Sequence, residues 1–110
     1  MSDIIQKLLD DSAFRFGMAM GAVETMADAS LKTYAQTDNS TYLAGTAIGY
    51  GGIIYLFQRA LRKEKLYRVN NYWNAFTSVS NTIVGVAMGE SINNTQILGV
   101  ALIACGILLV

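Results

Sequence analysis

Glu24 and Asp28 stand four residues apart in the stretch from Gly17 to Lys32, GMAMGAVETMADASLK. On a helix that spacing stacks the two carboxylates one above the other on a single face. Gly17 and Gly21 continue the face toward the N-terminus, with Met20, Ala27 and Leu31 beside it, and glycines so spaced let a second helix come close. Carboxylates drawn out of water can hold a proton or a cation. Burial raises a carboxyl pKa and a bound cation lowers it again, so the two ligands compete for one place. The second acid, Asp28, points to a substrate with more than one positive charge or with extra hydrogen-bond donors, of polyamine or guanidinium type. The structural alternative for each acid is a neighbouring hydroxyl or amide that satisfies it.

The elements that must position this pair are read from the charge pattern. The chain has 110 residues, 53% hydrophobic and 15% charged, with no proline and no histidine, and a mean hydropathy of +0.35. Between Asp38 and Arg59, between Arg68 and Glu90, and from Ser91 onward it runs uncharged. Each run is about 20 residues, the length of a membrane-spanning helix. Near mid-bilayer a carboxylate costs about 2.5–3.5 kcal/mol, which makes Glu24 and Asp28 functional candidates.

The pattern therefore predicts an all-α fold, a four-transmembrane-helix bundle preceded by a short amphipathic helix. Residues 1–12 form an interfacial segment with Ile4, Ile5, Leu8 and Leu9 on one side, and residues 13–110 form the membrane domain. Its spans fall at about 13–32, 41–59, 69–88 and 96–110, separated by YAQTDNS, RALRKEKLYR and GESINNT. Gly45, Gly49 and Gly52 allow close packing in the second span, while the third is polar enough that its asparagines, serines and threonines need partners. The three long uncharged windows argue against a soluble four-helix bundle.

With four spans, Lys7, Arg15, Arg59, Arg62, Lys63, Lys65 and Arg68 fall on one side and only Lys32 on the other. By the positive-inside rule both termini face the cytoplasm, in the plasma (inner) membrane. So strong a bias fixes a single orientation, and an antiparallel partner must then be a related chain of opposite topology. The N-terminal MSDIIQKLLDD lacks the small-residue cleavage pattern of a signal peptide. Zero net charge gives no reason to expect nucleic acid, and the single Cys105, in an apolar run, reads as packing. With no histidine, no metal-ligand cluster, no phosphate loop and no nucleophile beside a base, neither an enzyme nor a cofactor or metal site is expected.

Over about Phe14 to Val110 the chain resembles the small multidrug resistance family of the drug/metabolite transporter superfamily. The resemblance is carried by Glu24 followed by Leu31 and Lys32, by YLFQRAL at the end of the second helix, by Trp73 in the third, and by GESI followed by ILGVALIACGILLV. It implies a four-helix protomer working as a dimer, with Glu24 binding protons or a cationic substrate, Trp73 as a cation-facing wall and Tyr50 as a polar aromatic near the site. The structural alternatives are an interfacial anchor for Trp73 and plain packing for Tyr50.

Several positions depart from the family pattern. Asn70 stands where a tyrosine usually precedes the tryptophan by three residues and joins the candidate site residues. Ala75, Phe76 and Thr77 replace a Gly-x-Gly, the loop before the third helix is RKEKLYR where the family's is apolar with proline, and Asp28 is an additional acid. The function expected from residues and resemblance together is an integral membrane secondary transporter for proton-coupled export of small organic cations. The alternative is a non-catalytic or half-site subunit of a heteromeric transporter or lipid-carrier flippase. The expected partners are a small cation, protons, membrane lipid and a second chain.

Overall fold

Asp11 divides the first two helices. Its extended backbone breaks the helical run and its carboxylate accepts the N–H of Ala13 at 2.9 Å, satisfying a donor that the first turn leaves over. In the computed structural model, which describes residues 2–109, α1 spans Ser2–Asp10 and α2 spans Ser12–Thr37. α3 (Ser40–Leu61) starts on Asn39, whose side chain accepts the Thr41 N–H at 3.1 Å. α4 (Leu66–Ala87) follows a short charged turn, and α5 (Asn94–Gly106) opens with a reciprocal capping box between Asn93 and Gln96. A 3-10 turn, Ile107–Leu109, ends the described chain; Met1 and Val110, at the ends of the predicted interfacial and fourth membrane segments, lie outside it.

The architecture is all-helical, with no strand among the described residues. The membrane-spanning assignment is corrected: among the described residues no helix is long and apolar enough to cross a membrane. The physical reason differs from helix to helix. α2 is 26 residues long but carries Arg15, Glu24, Asp28 and Lys32. α3 intersperses its isoleucines with four glycines and three tyrosines, and α4 carries eight Asn, Ser and Thr residues from Asn70 to Thr82. α5 is the most apolar, but its 13 residues reach only about 20 Å, short of a hydrocarbon core of about 30 Å. A run without charge is not by itself an apolar run. The plasma-membrane placement, the cytoplasmic termini and the membrane-transport role built on it fall with that step.

The helices lie side by side, and α2 is in the middle. It packs along α3 on one flank and α4 on the other, while α3 and α4 touch little and α5 rests chiefly on α4. Gly17 sets the distance to α4, since a Cβ there would come 2.6 Å from Tyr72 Cβ and 2.9 Å from the Trp73 backbone nitrogen. Gly49 does the same on the α3 side, where a Cβ would meet Ala27 Cβ at 2.8 Å. Ala13, Met20, Ile53, Ala60, Val69 and Tyr72 form the core, with Met20 and Val69 its largest fully enclosed side chains. Phe14 meets Tyr72 edge-on at 5.4 Å and Phe57 meets Trp73 at 5.2 Å. The result is a slab of 45 × 37 × 21 Å whose α5 buries no residue.

The first connection is shorter than the sequence predicts. α2 continues through Tyr34, Ala35 and Gln36 to Thr37, and the turn is made by Asp38 in the left-handed region (φ 57°), its N–H bonded to the Tyr34 carbonyl at 2.7 Å.

Candidate functional site

α2 and α4 run parallel, which sets the register of the polar residues between them. Passing along the seam, Gly17 faces Tyr72 and Trp73, Gly21 faces Phe76 and Thr77, the Thr25 and Ser80 hydroxyls bond to each other, and Asp28 meets Asn81. From α4, Asn81 donates its amide Nδ2 to Asp28 Oδ2 at 2.9 Å. From α3, the Tyr50 hydroxyl donates to the other carboxylate oxygen. Asp28 is thus held by one donor from each flanking helix. The phenol is pushed up to about 12 by that hydrogen bond first, then by burial and by the charges of Asp28 and Glu24, so Tyr50 stays protonated and remains a donor.

Glu24 lies one turn earlier on the same face, half-buried. Its pKa is raised above the ordinary value, chiefly by burial and then by the negative charge of Asp28, with the Thr77 hydroxyl offsetting part of the rise. No ion pair reaches it among the described residues. The two acids therefore differ in circumstance: Asp28 is fixed by two donors, and Glu24 is placed where a proton or a cation relieves repulsion.

A pocket of about 170 Å³ lies between α2 and α4 beside Asp28, Thr25 and Asn81, and its lining includes Lys32 and Glu90, which pair with each other. Glu90 folds back over Gly85, where a Cβ would strike its carboxylate. At about 30 Å³ for each water, the space suits a group of roughly half a dozen heavy atoms.

The structure brings Glu24, Asp28 and Tyr50 together and leaves Trp73 and Asn70 farther down α4. Trp73 lies one turn before Thr77, its ring against Phe57 and its indole N–H buried without an acceptor among the described residues. Asn70 is eleven positions before Asn81, about 16 Å along the helix. Asn81, Thr77 and Glu90 were not singled out from the sequence. The polar residues of α4 need partners, but choosing Asn81 among them requires the parallel register of α2 and α4. No group of His, Cys, Asp and Glu able to hold a metal is present among the described residues.

No family model, curated protein or solved structure matches the chain. The small multidrug resistance pattern expected from the sequence therefore gains no support from these comparisons.

Proposed function

We propose that the Glu24–Asp28 pair is an exchange site on which a proton and a small organic cation alternate, in a chain that works as one half of a two-chain assembly. The observation that carries the reading is the unequal treatment of two carboxylates one turn apart. Asp28 is oriented by Tyr50 and Asn81, and Glu24 is pushed toward protonation by burial and by Asp28. A cation arriving at the pair lowers the Glu24 pKa and expels its proton, and protonation of Glu24 weakens the hold on the cation. Affinity therefore rises as pH rises through the titration of Glu24.

The assembly half of the reading is supported by surface area. The chain exposes 7125 Å², against about 6,000 Å² for a folded monomer of this mass. The excess, about 1,100 Å², is comparable to one partner's share of a standard protein interface, about 800 Å². Large apolar side chains on α3 and α5 remain open, among them Ile48, Ile54, Ile97, Leu98 and Leu102.

Calorimetric titration with tetraethylammonium and with a guanidinium compound, in buffers of differing ionisation enthalpy, tests the exchange. The expected result is proton release on binding in the native chain and loss of that release in Glu24→Gln. Binding with no proton release at any pH, or unchanged release in Glu24→Gln, overturns it. Light scattering on the same samples tests the assembly, and a monomer with full cation affinity sinks that part.

A further inference from the structure

At the opposite end of α2 from Asp28 lies a second cleft, between the first turns of α2 and the end of α3. It encloses about 360 Å³ and is lined by Ser12, Arg15, Phe16, Ala19, Leu56 and Lys63. The lining mixes two chemistries: two cations and a hydroxyl, and with them two large apolar side chains and an alanine. Arg15 and Lys63 are both exposed, and neither has an acidic partner among the described residues.

The nearest carboxylates are already engaged. Arg68 holds Asp11 through one guanidinium nitrogen and reaches Glu64 at 3.5 Å through another, and Glu64 also accepts the Ser12 hydroxyl. That network ties down the walls of the cleft with one cation against two carboxylates, so that together with Arg15 and Lys63 the cluster keeps a single net positive charge, matched by one anionic charge. The start of α2 adds the positive end of a helix dipole. Neither the exchange site nor the core packing uses these two cations.

We propose that this cleft binds an amphiphilic monoanion, its head group between Arg15 and Lys63 and its hydrocarbon chain against Phe16 and Leu56. Charge complementarity selects the head group: a carboxylate, a sulfate monoester or a phosphodiester accepts from the guanidinium fork and the ammonium, whereas a cationic head group meets two like charges. Volume selects the tail. At about 30 Å³ for each water displaced, 360 Å³ takes roughly a dozen heavy atoms, the size of a medium-chain fatty acid. Such an anion can come free in solution or as the head and upper chain of an anionic lipid, and the chemistry of recognition is the same.

The test is calorimetric titration of the full chain with sodium hexanoate, octanoate and decanoate below their micelle concentrations. Decyltrimethylammonium and inorganic phosphate serve as controls. The expected affinity rises about two- to fourfold for each added methylene, and Arg15→Gln and Lys63→Gln each lower decanoate affinity about tenfold. Both residues are exposed, so the variants keep the fold, and Asp28→Asn leaves decanoate binding unchanged. Flotation with phosphatidylglycerol and phosphatidylcholine vesicles separates the sources. Binding to the anionic vesicles alone, lost in the double variant and without decanoate binding, assigns the anion to a lipid. Equal binding of decyltrimethylammonium, an affinity independent of tail length, or full decanoate binding by the double variant overturns the proposal.

Discussion

The seam between α2 and α4 and the outer helix α5 make opposite use of their residues. The seam is built from glycines, hydroxyls, amides and carboxylates, and it is closely packed: Gly17 sits against the α4 backbone, and Thr25 and Thr77 are buried. α5, almost wholly apolar, buries nothing. Hydrophobicity of a segment is therefore no guide here to where the chain is enclosed. Close approach of backbones governs the interior, and apolar content marks the surface left over for another molecule.

That contrast can be broken by substitution. Met20→Ala, in the fully enclosed centre, is expected to cost about 2–5 kcal/mol, read as a lower urea midpoint. Gly17→Ala places a methyl against Tyr72 and Trp73 and should cost about 1–3 kcal/mol from overpacking. A neutral result there would mean that the seam is looser than its geometry. On α5, Gly99 has nothing within 4 Å of a built Cβ, so Gly99→Ala should stabilise by about 0.5–1 kcal/mol through helix propensity alone. A loss would show that α5 is packed in solution against something else.

The smallest expected effect sharpens the comparison at the site. The Glu24 carboxyl is raised in the folded chain by burial and by Asp28, so the folded state binds its proton more tightly than the unfolded state. Its contribution to stability is then full below the ordinary carboxylate pKa and is lost as pH climbs through the raised folded value. Urea midpoints measured between about pH 4 and 8 should show this decline in the native chain and a flatter profile in Glu24→Gln. Identical profiles would remove the electrostatic account of the pair.

The helices were legible because each long uncharged run is bounded by charged or turn-forming residues, so α3, α4 and α5 fall close to their predicted places. Their setting was not, because a run without charge can still be full of amides, hydroxyls and glycines, as α4 and α3 are. The pairing of Glu24 with Asp28 follows from helical spacing alone. Asn81 as a holder of Asp28 does not, since it depends on α2 and α4 running parallel in one register, which no local pattern encodes. The sequence ends α2 too soon because YAQTDNS reads as one loop, whereas only Asp38, in the left-handed region, and Asn39 make the turn.

The central position of α2 makes it the spine of the molecule. Tyr50 and Asn81 grip one aspartate from opposite wings that hardly touch each other. A change of charge on that side chain therefore acts on both wings at once, while their one aromatic contact, Phe57 against Trp73, lies farther along the slab.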